Sequence, residues 1–310
     1  EAAGFDSILT GEHHGSEQNR FPALLNLLSA VAARTEKVGL GTSILLSPLY
    51  NPVRIAEEAA QVDVISKGRL ILGLGLGYQP RDFRHFGVPF KHRLSLFEEG
   101  IEVIRRAWTE RPFSFVGRRY VFNSVSVFPV PVQRPHPAIW LAGWTTAGER
   151  RAARQGDAWV TDPIQNRQGL AAMAASYAEV RRARGAAPRT VLMREILIGK
   201  SRAAAMEDYG AGILQTYRNY WTNRAFNTEW DPWAKSVKSV DDITLDDVMR
   251  DRVIAGSPDE CVDQLRDWIT SLGTDYVQLI IPAHRDGVST NLAAIDLIGK
   301  EVLPAVRAAR

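Results

Sequence analysis

Three short stretches hold residue types able to do chemistry: Glu12-His13-His14, the glycine run Gly73-Leu74-Gly75-Leu76-Gly77, and Gly143-Trp144-Thr145-Thr146. An imidazole titrates near neutral pH, so His13 or His14 behind a short apolar run suits a general base or a hydrogen-bond donor. Equally, one ring could serve only to cap a loop. Metal ligation is the weakest reading, because the pair lacks carboxylate or cysteine partners at a familiar spacing. Glycines behind a strand let backbone approach a phosphate or a flat ring. The run is not a dinucleotide fingerprint, since Gly-x-Gly-x-Gly differs from Gly-x-Gly-x-x-Gly and Pro80 stands where the helix should begin; a tight strand exit is the plain alternative. A glycine, two threonines and then a helical pattern place free amides and hydroxyls at a helix start, which is an anion site or an ordinary threonine cap. Arg93 could add a guanidinium to the same anion.

These stretches must be positioned by regular elements, and the hydrophobic pattern supplies them. Strands are expected at 7–10, 38–46, 69–74, 139–142, 158–161, 191–199 and 276–281. Helices are expected at 23–33, 52–65, 96–108, 147–155, 169–184, 203–220, 258–272 and 292–302. Alternation of the two predicts a parallel sheet with right-handed crossovers. EAAG at the start reads as the last turn of a helix. Adding one strand and most of one helix ahead of it would complete the eight units of a (β/α)₈ barrel, read as one domain. Residues 113–137 predict a small hairpin about Gly117 and a proline-rich crossing. Residues 221–252, polar and carrying Trp221, Trp230 and Trp233, read as a lid or a partner surface.

Composition narrows the function. The net charge of +3 over 310 residues, with the basic side chains scattered, argues against a nucleic-acid partner. The single cysteine, Cys261, excludes an internal disulfide and fits a reducing, cytoplasmic setting. No apolar run approaches the ~20 residues of a membrane span.

Taken in order, GFDSILTGEHHG, LGTSILLSPLYNPVRIAEEAAQVDVISKGRLILGLGLGY, DFRHFGV, PVPVQRPHPAIWLAGWTTAGERRAARQGD and the late AGSPDECVDQLRDWITSLGTDYVQL closely resemble the bacterial-luciferase-like flavin monooxygenases. The resemblance implies a (β/α)₈ barrel, usually a homodimer. It further implies reduced FMN delivered by a separate flavin reductase, and O₂ activation through a C4a-peroxyflavin that oxygenates a small organic substrate. By motif, His13 matches the family's catalytic histidine, with Glu12 and His14 as its neighbours. Ser43 and Ile44 match the position of a non-prolyl cis peptide under the flavin ring, with Gly75 beside them. Arg93 and Gly143, Trp144, Thr145 and Thr146 match the phosphate end. Leu76 stands where bacterial luciferase has a phosphate-binding arginine, and Gly75 replaces its reactive cysteine, which argues for a substrate other than that of the light-emitting reaction. A branch of the superfamily uses a deazaflavin (coenzyme F-420) for hydride transfer; its frequent Asp-His pair differs from Glu-His-His here. A non-catalytic flavin-binding protein on the same barrel is the remaining alternative.

Overall fold

The computed structural model describes residues 1–15, 21–226, 230–274, 276–282 and 287–308. The chain forms two compact units, one built mainly from Asp6–Ala142 and the other from Gly143–Arg154 and Trp159–Arg310. Part of the histidine loop (16–20), three residues of the tryptophan-rich segment (227–229) and residue 275 of the late motif lie outside the described residues.

In the first unit, β1 (Ser7–Thr10), α1 (Leu24–Ala32), β2 (Gly39–Thr42), α2 (Pro52–Ile65), β3 (Leu70–Leu74), α3 (Pro80–His85), α4 (Arg93–Thr109), the hairpin β4 (Phe113–Val116) and β5 (Val121–Val125), and β6 (Ala138–Ala142) follow in order. The parallel pairs β1–β2, β2–β3 and β3–β6 build its sheet. The bounds of α2 agree with the sequence reading because its ends are written in side-chain chemistry. Asn51 accepts the Val53 amide at 2.9 Å, Pro52 takes the first helical position, and Lys67 and Gly68 turn out with positive φ. Its inner face buries Ile55, Ala56, Ala59, Ala60 and Val62; each large aliphatic side chain so buried contributes about 1.5–3 kcal/mol. The expected hairpin is present, with β4 antiparallel to β5 and Gly117 N–H donating to the Tyr120 carbonyl at 2.8 Å. The proline-rich crossing after it is fastened by buried Asp63, whose Oδ2 accepts the amides of Val132 (2.6 Å) and Gln133 (3.0 Å). After the glycine run the chain forms the short helix α3, begun by Pro80 in its first turn, where the sequence reading placed no helix.

In the second unit, α5 (Thr146–Gln155), β7 (Ala158–Val160), α6 (Arg167–Ala183), β8 (Thr190–Ile198), α7 (Arg202–Thr222), α8 (Trp233–Ser236), α9 (Leu245–Met249), β9 (Ile254–Gly256), α10 (Pro258–Leu272), β10 (Tyr276–Ile280), α11 (Val288–Leu297) and α12 (Leu303–Ala308) follow. Strand β8 is the hub, pairing in parallel with β7, with β10 along Val191–Glu195, and with β9 along Ile196–Ile198. The sequence reading missed β9, whose three residues are too few to show a period. It found α10 to the residue, because Ser257 and Glu260 form a capping box, Pro258 opens the helix and left-handed Gly273 closes it. Between α7 and β9 the tryptophan-rich segment folds onto α7, where Ile243, Val248, Met249 and Val253 join Tyr209, Ile213 and Tyr217 in one apolar cluster.

Two charged residues, Arg194 and Glu195, interrupt the apolar run of β8 and are buried. Arg194 donates to the carbonyls of Asp162 (3.1 Å) and Gln165 (2.9 Å) and lies 4.1 Å from the centre of the Trp268 ring. The Tyr217 hydroxyl is 2.9 Å from the Pro163 carbonyl and 3.2 Å from Glu195 Oε2. Having one proton, it can satisfy one of these acceptors, and a protonated Glu195 donates back to it. Burial pushes the Glu195 carboxyl up from its ordinary 4.5 to about 7, with Arg194 pulling against the shift. The folded protein therefore holds this proton more tightly than the unfolded chain. Its contribution to stability is complete below pH 4.5 and is lost as pH rises through 7, an effect on the order of 3 kcal/mol. Thermal unfolding of wild type and Glu195→Gln across this range should show wild type losing ground relative to the variant as pH rises; parallel curves would refute the assignment.

Candidate active site

In the first unit the chain leaving β1 is threaded past the end of β2. Ser43 N–H donates to the Thr10 carbonyl at 2.7 Å and Glu12 N–H to the Ile44 carbonyl at 3.2 Å. The peptide bond joining Ser43 to Ile44 is cis. Beneath it, a Cβ on Gly73 of β3 would stand 2.0 Å from the Thr42 carbonyl oxygen, and one on Gly75, just past β3, would stand 1.7 Å from Ile44 Cδ1, the end of a side chain. These two glycines thus make room for the protein's own backbone and for Ile44, which fits the tight strand exit that the sequence offered as the alternative to a ligand approach.

The two histidines are treated differently. Buried Glu12 accepts from the Leu46 amide (2.5 Å) and the Tyr50 hydroxyl, and its Oε1 lies 2.7 Å from His14 Nε2. His14 also packs against Phe86 at 4.6 Å between ring centres, and its carbonyl accepts from Arg81 at 3.0 Å. Burial, then the facing Glu12 charge, pushes the Tyr50 phenol up, so it stays a donor. His14 is therefore fixed, and it lines a cavity of about 350 Å³ together with Leu45, Tyr50, Arg54, Ile55 and Phe86. His13 is only partly buried, and no hydrogen bond to its ring is formed among the described residues. Burial lowers its pKa, opposed by the Asp82 charge and reinforced by His14 and Arg81, so its ring is neutral at pH 7. Arg93 opens α4 with its guanidinium 3.9 Å over the Phe90 ring and Nη1 on the Phe90 carbonyl at 3.2 Å; its buried Nε has no partner among the described residues.

The second unit holds the glycine-threonine turn. A Cβ on Gly143 would lie 2.5 Å from the backbone of Gly148, so glycine is what lets the turn fold onto the start of α5. Its carbonyls are held from behind: Trp159 Nε1 donates to Gly143 (3.0 Å) and Gln165 Nε2 to Trp144 (3.3 Å). Thr145 Oγ1 accepts the Gly148 amide at 3.2 Å, which satisfies the threonine-cap reading. The exposed amides of Thr146 and Ala147 have no acceptor among the described residues, which also fits the anion reading. Glu149 in the first turn is buried, and burial raises its pKa, which weakens the one negative charge there. Gln165 Oε1, buried behind the turn, is an unpartnered acceptor among the described residues.

The luciferase-like monooxygenase family model matches residues 1–276. The chain belongs to the luciferase-like monooxygenase family. It is 26% identical over 99% of its length to an F420-dependent glucose-6-phosphate dehydrogenase of Intrasporangium calvum, of which it covers 92%. Among solved structures, the monooxygenase RslO1 from Streptomyces bottropensis superposes with a TM-score of 0.80 at 25% identity, covering 98% of this chain and 89% of that one. The oxygenating constituent of 3,6-diketocamphane monooxygenase from Pseudomonas putida, solved with FMN, gives 0.82 at 20% identity over 98% and 89% of the two chains. The fold is therefore the α/β barrel of the luciferase-like monooxygenases, as the sequence predicts, and the protein is an enzyme of this oxidoreductase superfamily. Among the described residues no helix is long and apolar enough to cross a membrane, and no group of three or more metal-ligating side chains forms.

The sequence reading named the turn, both histidines and the Ser43–Ile44 position. It missed Tyr50, for which SPLYNP gives no signal, and Gln165. It also passed over Arg194 and Glu195, although two charges in an otherwise apolar strand were a signal.

Proposed function

We propose that this luciferase-like monooxygenase takes reduced FMN from a separate flavin reductase and uses O₂ to oxygenate a small organic substrate. The observation that carries the reading is the contrast between the histidines: His14 is tied to Glu12, while the His13 ring forms no hydrogen bond among the described residues and its pKa is lowered by burial. Bound reduced FMN would supply the electrons that activate O₂. His13 would donate a hydrogen bond or accept a proton at a ring nitrogen. Ser43, Ile44 and Gly75 would support the flavin ring. Gly143, Trp144, Thr145 and Thr146 would take the phosphate through the amides of Thr146 and Ala147 and the two hydroxyls, with Gln165 Oε1 left as an acceptor behind them. Arg93 contributes charge to the phosphate only if its side chain leaves Phe90. The 221–252 segment would exclude water as a lid. A homodimer in the cytoplasm is the expected setting.

The full-length likeness to an F420-dependent dehydrogenase favours a second reading, a deazaflavin-dependent hydride transfer on the same barrel. Anaerobic titration with reduced FMN and reduced deazaflavin, side by side, separates the two. The expected result is tighter binding of reduced FMN and consumption of O₂ once substrate is present. Tight deazaflavin binding without O₂ consumption would replace the oxygenase reading, and binding of flavin without turnover of any substrate would favour a carrier.

A further inference from the structure

The buried residues behind the glycine-threonine turn connect it to the tryptophan-rich segment. Arg252, at the end of that segment, is 2% exposed and forms an ion pair with Asp231, which is 1% exposed and lies within the segment just after Trp230. Three further donations from the same guanidinium reach the carbonyls of Ile164 (2.7 Å), Asp247 (2.9 Å) and Arg250 (2.9 Å). Asp231 Oδ1 also accepts from Trp233 Nε1 at 3.2 Å, and Asn166 Nδ2 donates to the Trp230 carbonyl at 2.6 Å. Residues 230–233 and Arg252 are thus clasped to each other and to the loop 162–166. That loop is stiff: Asp162 Oδ1 accepts the amides of Ile164 and Gln165, both at 2.8 Å, and Arg194 takes the Gln165 carbonyl at 2.9 Å. Gln165 is 1% exposed and spends its amide on the Trp144 carbonyl.

We propose that Gln165 is a positioning residue for the coenzyme's phosphate turn, and that the Asp231–Arg252 clasp sets its place. The inference rests on the phosphate role of residues 143–146 proposed above. A buried side-chain amide that orients a peptide carbonyl fixes the plane of that peptide unit, so Gln165 sets the Trp144–Thr145 peptide from which the Thr146 and Ala147 amides follow. Guanidinium geometry explains why the clasp needs arginine: four acceptors lie around one planar fork, and an ammonium has three donors and no plane. The geometry also gives the 230–252 segment a task beyond covering the site, since displacing it would loosen the loop that carries Gln165.

The test compares coenzymes with and without the phosphate. Dissociation constants are measured anaerobically for reduced FMN against reduced riboflavin, and for the reduced deazaflavin coenzyme against its phosphate-free nucleoside, on wild type, Gln165→Leu and Arg252→Lys. Gln165→Leu is expected to weaken the phosphorylated form about tenfold, the worth of one buried hydrogen bond, while its phosphate-free form is held within about twofold of wild type. Arg252→Lys is expected to show the same selective loss. If wild type prefers the phosphorylated forms and both variants keep that preference, the positioning role is wrong while the phosphate turn stands. Equal weakening of both forms would make Gln165 a fold residue and also overturn the proposal. If wild type itself shows no preference in either pair, the phosphate reading of the turn fails, and the proposal with it.

Discussion

Replacing His13 by glutamine is expected to lower turnover by about 10²–10⁴-fold, the usual contribution of a placed acid or base, while coenzyme affinity stays within about twofold of wild type. The His13 ring has no structural bond to lose among the described residues, so the substitution removes chemistry and little else. Steady-state kinetics and a coenzyme titration on the same preparation check this together. The pH profile adds a signature. Because burial lowers the pKa of His13 below the ordinary 6.5, the wild-type rate should hold as pH falls through that value and decline only below it. His13→Gln should lack that acid limb. His14 is the internal control: its ring is bonded to Glu12 and packed on Phe86, so His14→Gln should lower the melting temperature more than the rate. Unchanged turnover in His13→Gln would remove this residue from the mechanism.

Gly73→Ala should be the most damaging conservative change near the site. Its Cβ would meet the Thr42 carbonyl oxygen at 2.0 Å, and Thr42 Oγ1 already brackets the glycine by donating to its carbonyl (2.6 Å) and accepting its amide (2.9 Å). The obstacle is backbone within two paired strands, so no rotamer change relieves it, and a loss above about 4 kcal/mol is expected. Gly75→Ala meets the tip of Ile44 instead, at 1.7 Å. A side chain can be trimmed, so Ile44→Ala should recover much of the Gly75→Ala loss and none of the Gly73→Ala loss. Denaturant unfolding of the singles and the two doubles measures the coupling directly. A Gly73→Ala protein as stable as wild type would show that β2 and β3 can separate to admit a methyl group.

What the sequence made legible was whatever is written locally. Helices α2 and α10 were placed to the residue because asparagine, serine, glutamate, proline and glycine stand at their ends in the order that capping requires. Strands β1, β3 and β6 showed as apolar runs between punctuating residues. Strand β9 and helix α3 were missed, being three and six residues long, shorter than the window in which a period can be recognised. The site divides along the same line. His13 and the Gly143–Thr146 turn announced themselves by residue type, whereas the partners that decide which histidine is restrained lie 34 and 38 residues away from Glu12, at Leu46 and Tyr50. Gln165 and Arg252 were invisible for that reason also: the clasp joins positions 88 residues apart, from Arg252 to Ile164, and only the folded chain brings them together.

The anchoring of the proline-rich crossing by Asp63 has a consequence for how this chain could vary. Because Val132 and Gln133 return to one buried carboxylate, the entry to β6 is set by that fixed point. The hairpin between α4 and β6 is fastened separately, since Glu99 of α4 accepts the tip amides of Arg118 (3.0 Å), Arg119 (2.7 Å) and Tyr120 (3.1 Å) and Phe113 and Phe115 are buried, while Val116 and Val121 are 84% and 71% exposed. Its exposed valine face is therefore the interchangeable part. Side chains at positions 116 and 121 can be exchanged, by engineering or by drift, without retuning the barrel strands on either side, provided that Glu99 keeps its three amides and the two phenylalanines stay buried.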